Sequence, residues 1–217
     1  GPWLHKGLLP LGDRPVLTRL LERFPTDTHV VFAIGHLGEQ IRNFVELAHP
    51  EFRTSFVEVP KYSGPGTGPA TSLLACRPLL DRPFLVTAID ALYDEPLPEL
   101  AGNWIGVAEV PDPENWCTVR TAGNEVSDLA YRDPNGTHLA YTGTAHVEDI
   151  EPFLNALERT VQTGEVVLDP GFLALRDRGL ETRAVAWRDA GNETTYAAVR
   201  STFEGETTAA GKTNDLT

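Results

Sequence analysis

The sequence predicts an α/β fold, a Rossmann-like and mainly parallel sheet flanked by helices with an antiparallel meander laid against it. Three observations carry that expectation. The first half alternates amphipathic helical stretches with short continuous apolar runs, the mark of strands covered on both faces. After Trp104 the alternation gives way to successive strands separated by turn residues. The length of 217 residues, 41% of them hydrophobic, suits one sizeable core and is too short for two full domains.

In chain order, "LHKGLLPLGDRPVLTRLLERFPTD" carries a Gly-Asp turn and then an amphipathic helix from about Pro15, with Val16, Leu17, Leu20, Leu21 and Phe24 as its buried stripe. "HVVFAIGH" reads as a buried strand, "LGEQIRNFVELAH" as a helix and "TSFVEVP" as a strand, together a βαβ unit. "TGPATSLLACRPLL" reads as a helix, and "PFLVTAID" as a strand that ends in Asp90. The segments "NWIGVAEV", "NWCTVRT", "EVSDLAYRD" and "THLAYTGTAHV" form the meander, with turns at Ala122-Gly123-Asn124 and Pro134-Asn135-Gly136. "EDIEPFLNALERTVQTG" is a helix with Phe153, Leu154, Leu157 and Val161 inward and Gly164 as its stop. Val185 to Trp187 reads as a short strand, followed from Asn192 by apolar residues at helical spacing, Tyr196, Val199 and Phe203. One folded domain is thus expected over residues 1–204, with 205–217 as a polar tail or linker.

A net charge of −13 argues against a nucleic-acid partner, whose phosphates are held mainly by lysine and arginine. No run approaches the roughly 18 apolar residues of a membrane span, and no leader pattern precedes the first helix, so a cytoplasmic protein with no membrane partner is expected. The two cysteines, Cys76 and Cys117, stand far apart without metal-ligand spacing, which signals neither a disulfide framework nor a zinc site. His29, His36 and His49 lack a carboxylate at recognisable spacing and read as structural. The chain has no methionine.

In open α/β sheets ligands gather beyond the carboxyl ends of strands. Asp90 and Asp189 each occupy that kind of place. For Asp189, followed two residues on by a glycine and then a helix start, a turn or N-cap role competes with metal ligation. Two such aspartates brought to one edge would make a carboxylate pair suited to Mg²⁺.

Three segments resemble, in order and spacing, the nucleotidyltransferases that join a nucleoside triphosphate to a phosphorylated small molecule. "LHKGLLPLGDRPVLTRLLERF" is similar to the family's "PKALLPVGGKPLLE", "PFLVTAID" to its "LLVNGD", and "AWRDAGNETTYAAVRSTF" to its "WFDIGTPEDYLAA". The resemblance implies Mg²⁺ on Asp90 and Asp189, Lys6 on the triphosphate with Arg14 assisting, and a nucleotide base held by "SGPGTGPATSLLA" through Gly66, Gly68 and Ser72. The family opens with a strand and a loop, "LAAGxGTR", and Gly1 falls just after that place.

The sugar-1-phosphate branch usually carries an "EKP", absent from "VSDLAYRDPNGT". "ENWCTVRTAGNEVSDL" and "TGEVVLDPGF" instead resemble the "NEWFLVYGDDYKVQDI" and "TGEFVDLYW" of bacterial phosphocholine cytidylyltransferases, which implies CTP and a small phosphorylated or phosphonate acceptor facing Trp116 and Glu165. The alternatives are a sugar-1-phosphate nucleotidylyltransferase, or a non-catalytic nucleotide-binding protein lacking the loop. A glycosyltransferase of like architecture would want a DxD where Asp90 is followed by Ala-Leu-Tyr. Some relatives with a "DTGN"-like closing motif continue into a kinase-like domain. "GKTND" is faintly similar to the start of that extension, which implies a fusion, whereas its composition alone reads as a disordered end.

Overall fold

The computed structural model describes residues 3–211, with side chains to residue 203. The chain opens on a 3₁₀ turn, Lys6–Leu8, and a minimal hairpin of β1 (Pro10–Leu11) and β2 (Arg14–Pro15). Gly12, at φ 63°, makes that hairpin turn in the left-handed region. Helix α1 (Val16–Leu21) buries Val16, Leu17, Leu20 and Leu21, and Phe24 is half-buried beyond its end. Strand β3 (His29–Ile34), helix α2 (Gly38–Ala48) and strand β4 (Arg53–Glu58) form the expected βαβ unit, paired in parallel from His29↔Arg53 to Ile34↔Glu58.

Helix α3 (Pro69–Ala75) leads to β5 (Phe84–Val86), β6 (Ala91–Tyr93), β7 (Trp104–Glu109), β8 (Cys117–Ala122), β9 (Glu125–Tyr131) and β10 (Leu139–Val147). Helices α4 (Ile150–Gln162) and α5 (Asp169–Leu173), strands β11 (Glu181–Ala184) and β12 (Trp187–Asp189), and helix α6 (Glu193–Gly211) complete the described chain. The largest sheet runs β5-β10-β7-β11-β9-β8, and one bridge, Ala140↔Thr118, closes β8 back onto β10 in a barrel-like ring. Its core is the inner side of α4, where Phe153, Leu154 and Leu157 are almost wholly buried with Ile105, Ala145 and Phe172. Val161 is only partly buried at the end of that stripe, and Gly164, at φ 94°, ends the turn beyond it.

Four details differ from the sequence reading. Among the described residues parallel pairing is confined to β3–β4 and β7–β11, and the large sheet is otherwise antiparallel. The strand expected to end in Asp90 stops at Val86, because Ala88 N–H bonds to Gly143 and Ala91 N–H turns back to Ala88. The strand expected over Val185 to Trp187 falls between two: β11 ends in the large sheet at Ala184, and β12 starts at Trp187 and pairs with β6. Helix α6 runs on through residue 211, past the boundary expected at 204. No proline interrupts residues 204–211. The end of "GKTND" lies outside the described residues. Among those described, no helix is long and apolar enough to cross a membrane.

Candidate active site

Backbone pairing brings Asp90 and Asp189 together. Strand β12 runs antiparallel to β6 with Asp189 opposite Ala91, and Ala190 N–H donates to the carbonyl of Asp90 at 3.0 Å. Asp90, the residue before β6, therefore lies one step along the ladder from Asp189, the last residue of β12. A Cβ on Gly191 would stand 2.7 Å from Asp90 Oδ2 and 2.9 Å from Asp189 Oδ1. The two carboxylates converge on one spot, and a residue without a side chain leaves it open.

The helix cap competing for Asp189 is supplied by its neighbour. Asn192 Oδ1 accepts from the N–H groups of Thr194 and Thr195, both at 3.0 Å, and so caps α6. Asp189 is left with Gly191 N–H at 3.2 Å and the Thr195 hydroxyl at 2.8 Å, which fix its two oxygens. Asp90 is buried, 8% exposed, and pairs with the Lys6 ammonium. Lys6 is one of three lysines in the whole chain. Its turn is anchored on both sides, His5 Nδ1 accepting from Gly7 N–H and His5 N–H donating to Gln40 Oε1 at 2.8 Å. Burial, and then the Lys6 charge, hold His5 below its ordinary pKa.

Two carboxylates against one ammonium leave a local excess of negative charge. Mg²⁺ is commonly held by one or two carboxylates plus waters and substrate phosphates, and this donor set fits it. Among the described residues no group of three or more His, Cys, Asp or Glu could hold a metal by protein ligands alone.

Two residues before Asp189 on β12 stands an aromatic corner. Trp116 and Trp187 meet edge to face, with ring centroids 5.2 Å apart and planes at 85°. The period of two along β12 puts Trp187 on the same side of the strand as Asp189. Trp116 Nε1 donates to Asp112, whereas Trp187 Nε1 is buried without a partner among the described residues. Trp187, Gly191 and Thr195 were missed in the sequence reading. The alternation in "AWRD" is the signal that could have found Trp187. Cys117, next to Trp116, donates its thiol to Asp169 Oδ2 at 3.5 Å, and burial pushes both groups above their ordinary pKa values.

The other expected site residues are dispersed. Gly66, at φ 76°, stands in an exposed loop near Lys61. Gly68 is pressed against Val166, where a Cβ would come within 2.7 Å of the Val166 carbonyl oxygen, so its smallness serves packing. Ser72 turns its hydroxyl back to the Gly68 carbonyl at 3.3 Å. Glu165 is exposed in the loop whose next residue, Val166, meets Gly68. Arg14 pairs with Glu22 and, at 3.6 Å, with Asp13; no contact found among the described residues joins it to Lys6, Asp90 or Asp189. His49 departs from the expectation of a histidine without a carboxylate partner, since its Nδ1 lies 3.3 Å from Glu51 Oε1.

No protein-family model and no curated protein matches the chain. Solved structures do. A UDP-glucose pyrophosphorylase complexed with UDP-glucose superposes with a TM-score of 0.74 at 15% identity, covering 93% of this chain and 90% of that one. A nucleoside-diphosphate-sugar pyrophosphorylase from Vibrio cholerae RC9 gives 0.73 at 18% identity over 92% and 93%. A UTP-bound UGPase from Acinetobacter baumannii gives 0.69 at 14% identity over 98% and 92%. The chain shares their fold, that of nucleotide-diphospho-sugar transferases.

Proposed function

We propose that the chain is a nucleotidyltransferase, coupling a nucleoside triphosphate to a small phosphorylated acceptor with release of pyrophosphate. One observation carries the reading. On a fold shared with nucleoside-diphosphate-sugar pyrophosphorylases, Asp90 and Asp189 converge at Gly191 with Lys6 paired to Asp90. An acceptor phosphate oxygen would form its bond to the α-phosphorus while the bond to the bridging oxygen of pyrophosphate breaks. Asp90 and Asp189 would hold Mg²⁺, whose chemistry is to neutralise charge on the phosphates. Lys6 would supply the positive charge the chain itself brings to the triphosphate, and Thr195 and Gly191 would keep Asp189 aimed. No protein nucleophile is required.

The solved neighbours favour a sugar 1-phosphate as acceptor. A phosphorylated amino-alcohol with CTP is the second reading, favoured by the Trp116–Trp187 corner, which offers aromatic faces to an ammonium. Pyrophosphate release assayed with each of the four nucleoside triphosphates, Mg²⁺, and either glucose 1-phosphate or phosphocholine tests both. Turnover dependent on glucose 1-phosphate is expected on the first reading, and turnover with CTP and phosphocholine that Trp116→Ala abolishes is expected on the second. No pyrophosphate above blank with any pair, while Asp189→Asn behaves as the parent, would sink nucleotidyl transfer.

A further inference from the structure

Helix α1 packs its apolar stripe toward β6 and the Lys6 turn. Its other side, carrying Thr18 and Glu22, faces a groove of about 700 Å³ that reaches the carboxyl end of α2. That volume is in the range of small-molecule sites. The floor is His49, 8% exposed, with Phe44 and Phe52 edge-on to its ring at centroid distances of 5.7 and 6.3 Å. Its Nε2 lies 2.8 Å from the Thr18 hydroxyl and its Nδ1 3.3 Å from Glu51 Oε1.

The donors and acceptors in this row decide what the groove can bind. A carboxylate only accepts, so a neutral His49 donates Nδ1–H to Glu51 and accepts the Thr18 hydroxyl proton at Nε2. What this row leaves over is the lone pairs of Thr18 and the second oxygen of Glu51, all acceptors; Glu22 adds a further carboxylate to the lining and Thr26 a hydroxyl. Glu51 is half-exposed, and among the described residues neither Lys nor Arg pairs with it. The lining holds one guanidinium, Arg14, whose charge is offset by Glu22, hydrogen-bonded to its Nη1, and by Asp13 at 3.6 Å, which leaves the Glu51 carboxylate as the lining's uncompensated charge. Phe24, Phe44 and Phe52 supply the apolar wall.

An acceptor-only polar row beside three phenyl rings selects a donor that carries positive charge and an apolar body. We propose that this groove binds a small aryl-alkyl ammonium compound, its ammonium on Glu51 and Thr18 and its ring against the phenylalanines. The site shares no residue with Asp90, Asp189 or Trp116 and does not depend on the nucleotidyltransferase reading.

Phenethylammonium is the probe and phenylacetate, with the same ring and the opposite charge, its control, titrated by calorimetry into the full chain. Saturable binding of phenethylammonium at about millimolar or tighter is expected, with none by phenylacetate. Glu51→Gln should weaken it about tenfold, the scale of a lost charge-assisted hydrogen bond, and Thr18→Val severalfold, with circular dichroism verifying the fold of each variant. Trp116→Ala should leave it unchanged. Absence of binding, equal binding of phenylacetate, an unaltered affinity in Glu51→Gln, or loss in Trp116→Ala overturns the proposal.

Discussion

In the six-stranded sheet, Ile105, Ala145 and Val147 are closed off from water against Phe153 and Phe172. In the β6–β12 ladder the strands are only three residues each, and the residues at their open end turn two carboxylates toward one spot. Both regions rest on ordinary strand pairing and bury apolar residues, Ala91, Leu92 and Tyr93 in the ladder among them, but only the ladder also holds like charges together against Coulomb repulsion. On the proposed function, stability and chemistry fall in different parts of one chain.

If that division is right, the two regions separate under mutation. The largest effect is expected from Phe153→Ala, which should lower unfolding free energy by about 3–5 kcal/mol in urea denaturation while turnover per folded molecule stays near the parent value. Asp189→Asn should do the reverse, cutting pyrophosphate release by about a hundredfold or more with a urea midpoint equal to or slightly above the parent, since one of two like charges is gone. A clear fall in midpoint would make Asp189 a structural residue.

Gly191→Ala sharpens the comparison, because it alters neither carboxylate and only fills the spot between them. Displacing them by about 1 Å should cost up to about a hundredfold in turnover, with an unchanged circular dichroism spectrum. Activity equal to the parent would mean that the convergence at Gly191 is incidental. The smallest effect concerns the cysteines. Cys76 is 3% exposed with its thiol pushed up to about 11, and burial raises Cys117 further. Since the thiolate is the reactive form, iodoacetamide at pH 8 should label neither in the folded chain and both in urea. Rapid labelling of either would show the interior to be looser than the packing implies.

Particular residues show how far sequence reasoning reaches. The buried stripe of α1 and the inward residues of α4 were legible because helical period and side-chain polarity are local properties. Asp90 and Asp189 were legible as strand-end carboxylates, although the Asp90 strand ends sooner than its apolar run suggests. Arg14 was less so, since a charged residue after a turn has several carboxylates within reach and only the folded chain selects Glu22. The His49–Glu51 contact escaped notice because it spans a helix end, where no repeat relates residues two apart.

By itself the sequence determined which segments are helix or strand, which faces are apolar, and which carboxylates were candidates for a metal. Those properties follow from neighbours a few positions away. Tertiary structure alone decided that Ala190 would bond to the Asp90 carbonyl and that Trp187 would meet Trp116. Each depends on the register between segments distant in the chain, set by hydrogen bonds and packing that no local period encodes.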